Sequence, residues 1–86
     1  MLSNFGEYVK NSIIEVGLLN NYNDFTGDLE ISEDDFNNKE IFNKIMYLVN
    51  KGRIEIEDAS YIWVLSREED IYMLSFVNYD STFLER

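Results

Sequence analysis

Cysteine, histidine and proline are all missing from this 86-residue chain. The first two absences each remove a kind of chemistry. Without histidine there is no imidazole general base and no serine–histidine–aspartate relay. Without cysteine there is no thiolate nucleophile, no disulfide and no cysteine-ligated zinc. Basic residues are also scarce, seven Lys and Arg against 17 Asp and Glu, which leaves a net charge of −10. Phosphate backbones and anionic membrane surfaces both repel such a chain. No apolar run approaches the roughly 20 residues that span a bilayer. The N-terminal stretch lacks the basic region and long apolar run of a signal peptide. The expectation is therefore a cytoplasmic protein that binds neither nucleic acid nor membrane directly.

What the chain does contain is enough for a folded core. Apolar residues make up 45% of it, including one Trp, six Tyr and six Phe, so the composition is not that of a disordered segment. The length predicts one domain, 1–86. A substrate cleft of about 300 Å³ or more is hard to enclose in so small a body. The reading is accordingly not an enzyme, with no cofactor and no metal.

Two helices are predicted. Over 4–20, Leu2, Phe5, Val9, Ile13 and Val16 recur every three or four residues, and Asn4 with Glu7 has capping-box spacing. The second helix starts at Ser32 as N-cap, with Glu33, Asp34 and Asp35 where the helix dipole favours anions. It continues through Ile41, Ile45 and Leu48, and Gly52 fits just past its end. Leu29 and Ile31 alternate with acidic residues and suggest a short strand at 28–31, and Arg53 to Glu57 alternates strictly. The apolar runs 60–66 and 71–77 read as an antiparallel hairpin. A four-residue loop, 67–70, keeps a register in which Arg67 faces Asp70. The fold class is α+β: two helices packed on a small antiparallel sheet with a C-terminal β-hairpin. The tail, 78–86, carries Tyr79 and Phe83 without a period.

Both faces of that hairpin are apolar. One carries Ile62, Val64, Ile71, Met73 and Val77, the other Tyr61, Trp63, Leu65, Tyr72, Leu74 and Phe76. A half-exposed hairpin ordinarily alternates apolar with polar residues. Two readings follow. Either the aromatic face packs on helix 1, or it is an interface, homodimeric or with another protein, anchored by Tyr61 and Trp63.

Three constellations carry chemistry. Asp24, Thr26 and Asp28 resemble positions 1, 3 and 5 of an EF-hand calcium loop ending at Asp35, but Leu29 stands where that loop needs Gly and Asp35 where it needs Glu. The stretch Leu48 to Ile54 resembles a recognition helix entering a winged-helix wing, on a chain of the wrong charge for DNA. The third is the acid itself. Asp24, Asp28, Glu30, Glu33, Asp34 and Asp35 fall in twelve residues without Lys or Arg. Glu55, Glu57, Glu68, Glu69 and Asp70 form a second patch. Carboxylates spaced over a rigid surface imitate a row of phosphates, and their field steers a basic partner inward.

The size, the acidity, the ten Asn and the absence of His, Cys and Pro resemble small phage-encoded inhibitors, anti-CRISPR proteins and DNA-mimic inhibitors among them. The resemblance rests on composition over the whole chain. It implies a protein acting in the host cytoplasm that blocks a nucleic-acid-handling protein by occupying its basic surface. Two alternatives stand beside it: an assembly subunit dimerising through the aromatic hairpin face, and an immunity protein against a basic toxin nuclease.

Overall fold

The computed structural model describes residues 4–79. Leu2, Phe83 and the rest of the tail beyond Tyr79 lie outside the described residues, as does the side chain of Asn4 and with it the capping role expected there. Helix α1, Asn4–Val16, presents Val9 and Ile13 one turn apart to the core. It ends four residues earlier than the sequence suggests, and Gly17 is the reason. At φ +80° it takes a left-handed conformation that costs an L side chain energy. The Leu18 amide then donates to the Ile13 carbonyl and the Gly17 amide to the Ile14 carbonyl, both at 3.1 Å. This is the Schellman closure, and its usual apolar contact is met by Ile13 and Leu18, both buried.

A single 3₁₀ turn, Leu19–Asn21, leads into the two-residue strand β1, Tyr22–Asn23, and then β2, Asp28–Ser32. Ser32 caps the next helix as expected, its Oγ accepting from the Asp35 amide at 3.1 Å. The long second helix is divided in two, however. A single turn, α2 (Glu33–Phe36), is followed by α3 (Lys39–Val49). Asn38 makes the break: it is extended, and its Oδ1 accepts from the Ile41 amide at 3.2 Å, starting α3 afresh. Ile45 and Leu48 of α3 are fully buried.

Strands β3 (Ile54–Ile56), β4 (Ala59–Glu68) and β5 (Ile71–Asn78) complete a five-stranded antiparallel sheet in the order β1-β2-β5-β4-β3. The β4–β5 hairpin is longer and tighter than expected. The ladder runs to Glu68↔Ile71, leaving Glu69 and Asp70 as the turn. Arg67 therefore faces Tyr72, not Asp70, a displacement of two residues. Because side chains alternate with period two, the shift leaves each residue on its expected face. Glu69 makes the short turn possible by taking φ +59°, and Arg67 Nε donates to its carbonyl at 2.8 Å. Positive φ in the turn is what two-residue hairpin loops demand. Glu57, at φ +57°, plays the same part between β3 and β4.

The core lies on one side of the sheet. Val9, Ile13, Leu18, Ile45 and Leu48 from the helical layer meet Leu29, Ile31, Trp63, Leu74 and Phe76 from the strands. The rings of Phe5 and Tyr8 pack on Phe76 at 5.5 and 5.1 Å. Among the described residues no helix is long and apolar enough to cross a membrane.

Candidate protein-binding face

The strand register assigns every side chain to one of two faces. Leu29, Ile31, Trp63, Leu74 and Phe76 point toward the helices and are buried. The alternate positions form an outer face: Asp28, Glu30 and Ser32 of β2, Ile71, Met73, Ser75 and Val77 of β5, Ser60, Ile62, Val64, Ser66 and Glu68 of β4, and Glu55 of β3. None of these is buried. They comprise an apolar strip, serines and carboxylates, with no Lys or Arg. The four lysines stand elsewhere, Lys10 on α1, Lys39 and Lys44 on α3, and Lys51 just beyond it. Arg67 belongs to the core-side register and is held over the Tyr72 ring at 5.1 Å, while Arg53, just before β3, lies over Tyr79 at 4.7 Å.

This arrangement corrects the expected anchors. Trp63 is 4% exposed, packed on Phe76 at 4.9 Å, and is closed to a partner. Tyr61, half-buried on the same face, packs against Phe5 and Phe76 at 4.9 and 5.4 Å. The helical layer packs on the aromatic face, so a partner using that face would have to displace it. Among the described residues the buried Trp63 indole N–H has no hydrogen-bond partner.

The acidic residues are regrouped by the fold. Glu30 borders two shallow grooves. One, of about 350 Å³, is lined by Glu30, Glu68, Glu69, Ile71 and Met73. The other, of about 360 Å³, runs from Glu30 past Asn21, Tyr22 and Asn23 to Asp24 and Phe25. The 24–30 segment and the hairpin tip, nearly forty residues apart in sequence, thus make one acidic band. Two asparagines fix its centre. Asn23 Nδ2 donates to Glu30 Oε2 at 2.9 Å, and Asn21 Nδ2 donates to the Glu30 carbonyl at 3.2 Å. Asn21 Nδ2 also reaches Asp35 Oδ2 at 3.4 Å. Glu33, on α2, approaches Arg67 at 3.9 Å with both side chains about half exposed, which is a weak contact. Asp34 is exposed on the same turn, and Asp70 is exposed beside Glu69 in the hairpin turn.

Glu55 and Glu57 do not join this band. Glu55 pairs with Ser60 at one end of β4, whereas Glu68 closes the other end. At about 3.3 Å per residue the two are separated by about 26 Å. The second patch expected from sequence is therefore two patches, and only its hairpin-tip half meets Glu30.

The 24–35 stretch does not take the form of an EF-hand loop. Asp28–Ser32 is extended strand, which sends Asp28 and Glu30 along one face and away from the α2 turn that holds Asp35. Among the described residues no three acidic side chains are grouped to hold a metal. The segment between β1 and β2 is instead an Asn-built turn, with Asn23 Oδ1 accepting from the Phe25 amide at 2.9 Å. The turn pushes Phe25 fully into solvent, at 101% relative exposure. Sequence reading passed over Phe25. Its only signal is an aromatic residue between Asp24 and Thr26 in a stretch without apolar period.

No family model, curated protein or solved structure matches the chain.

Proposed function

We infer that this protein is a non-catalytic binding module that docks on a basic protein surface through the acidic band centred on Glu30. The supporting observation is the charge of the outer sheet face, which carries carboxylates and no basic side chain; the lysines sit on the helices and just beyond α3, with Lys10 alone bordering a groove shared with Asp24 and Asp28. Carboxylates held on a strand lattice are rigidly spaced, and a rigid row of charges matches a surface built for phosphates better than a mobile tail would. Phe25, protruding at one end of the band, supplies the apolar knob that charged interfaces need for affinity.

The partner class that fits is a nucleic-acid-handling protein, whose phosphate-binding cleft is basic and carries apolar contacts for bases. On this reading the protein acts as an inhibitor by occupying that cleft, in keeping with its compositional likeness to phage-encoded inhibitors. It does not bind nucleic acid itself.

The test is a co-purification from host lysate followed by calorimetry on the captured partner. Glu30→Lys is expected to weaken binding by an order of magnitude or more, because Glu30 borders both grooves, and Glu55→Lys by far less. Affinity is expected to fall steeply between low and physiological salt. An affinity indifferent to salt and to Glu30→Lys would overturn the assignment.

A further inference from the structure

The two long edges of this sheet are finished differently. In a two-residue hairpin the pair flanking the turn exchanges both main-chain hydrogen bonds, and the bonding alternates from there. Counting from Glu68↔Ile71, the peptide groups of Ser66, Val64 and Ile62 face β5, and those of Arg67, Leu65, Trp63 and Tyr61 face away from it. Counting independently from Ile56↔Ala59 gives the same parity, with Ala59 and Tyr61 bonded to β3. Strand β3 stops there. From Ile62 to Glu68 no described strand pairs with the outer edge of β4.

At the opposite edge the matching position is closed. The Glu30 carbonyl points away from β5, and Asn21 Nδ2 occupies it at 3.2 Å, with β1 paired to Asp28 and Leu29. An unpaired strand edge is a template for another strand, and natural sheets blunt theirs with Pro, Lys, bulges or a covering segment. The β4 edge has no Pro or Lys, and its charged residues, Arg67 and Glu68, are confined to one end.

We propose that two copies of the chain pair antiparallel through this edge, with the two-fold axis at Leu65. The stretch 62–68 is centred on Leu65, so this centring uses the whole unpaired edge, and because Leu65 is one of the outward-facing residues the two copies exchange both main-chain hydrogen bonds at the axis. In this register Leu65 meets Leu65, Arg67 lies opposite Trp63, Ser66 opposite Val64 and Glu68 opposite Ile62, so no like charges are opposed. Centring on Arg67 would set Arg67 against itself, and centring on Trp63 would drive Leu65 onto Tyr61, whose edge β3 already holds. The register also brings the Glu68–Glu69 end of each strand toward the chain entering β3 of the other copy, where Arg53 supplies the opposite charge. The product is one continuous sheet with helices on one side and two acidic bands on the other. The pairing is independent of the partner assigned above.

Sedimentation equilibrium and residue-resolved amide exchange on the intact chain test this together. Edge pairing buries little surface, so the expected result is a weak dimer whose population grows from about 10 µM to about 1 mM, the range of modest binding free energies. Added salt is expected to strengthen it by screening two chains of like net charge. The amides of Leu65 and Arg67 gain protection in step with dimer formation. Leu65→Lys, which opposes two ammonium groups at the axis, returns the chain to monomer. A strict monomer over that range overturns the proposal, as does a dimer that leaves the Leu65 and Arg67 amides unprotected or survives Leu65→Lys. Should Leu65→Lys fail to fold, the exchange of the wild-type amides decides alone.

Discussion

Phe36 lies flat on Tyr72, with ring centroids 3.9 Å apart and planes 9° from parallel. The stack ties the single turn of α2 to the middle of the sheet, beside the hairpin end that carries half of the acidic band. Phe42 braces it from α3, edge-on to Phe36 at 5.3 Å. Breaking the helix at Asn38 is what turns Phe36 toward the sheet. Removal of this ring by Phe36→Ala is expected to cost about 2–3 kcal/mol of stability in urea unfolding, less than a fully buried Phe would cost because Phe36 is half-buried.

Gly17 offers a sharper backbone test. Its φ of +80° closes α1, and a Cβ there would also come within 3.2 Å of Lys44 Nζ, the mobile end of a side chain. The conformation, not the contact, sets the cost. Gly17→Ala should lower stability by about 1 kcal/mol, read as a reduced denaturation midpoint with unchanged slope.

The hairpin turns make the converse prediction. Glu57 and Glu69 hold positive φ without being glycine. Left-handed backbone costs an L residue about 1–2 kcal/mol, part of which glycine gives back through its greater unfolded-state freedom. Glu57→Gly is expected to raise stability by about 0.5 kcal/mol, measured by thermal or chemical unfolding. Glu57 is the better site because Glu69 also lines the acidic groove.

Trp63 is the only tryptophan and is 4% exposed, so it reports on the core without labelling. Its fluorescence should resist quenching by iodide until the chain unfolds, and binding at the acidic band should leave that resistance unchanged. A partner docking on the aromatic face would have to displace α1 and expose the ring. Since its indole N–H has no partner among the described residues, Trp63→Phe removes a buried polar group along with some volume and should cost well under the roughly 3–5 kcal/mol expected for Trp63→Ala.

The net charge of −10 predicts a salt response of the fold itself. Glu30, Glu68 and Glu69 share one groove and repel each other. Raising ionic strength should therefore stabilise the protein, and Glu30→Gln should shrink that gain. Unfolding curves at low and high salt measure both.

Local pattern was enough to fix the faces of the main elements, though not the break between α2 and α3 or the short strand β1. The three-four spacing of Val9, Ile13 and Val16, the Ser32 cap, and the alternation through 60–66 and 71–77 are properties of neighbouring residues, and the structure keeps each of them on the side its period assigns. A register shift of two residues could not disturb those faces, because strand side chains repeat every two residues. Three things were beyond the sequence. Asn38 restarting a helix looks, in sequence, like one more polar residue on a helical face. Which apolar side of the hairpin is covered depends on where α1 and α3 land, and that is settled by long-range contacts such as Phe5 with Tyr61 and Phe36 with Tyr72. The acidic band depends on strand order: β2 lies beside β5 and β5 beside β4, so Glu30 and Glu68 meet in one groove while Glu55, nearer to Glu68 in sequence than Glu30 is, stands at the far end of β4. Charge is written residue by residue, but its field depends on distances that only the packed sheet sets.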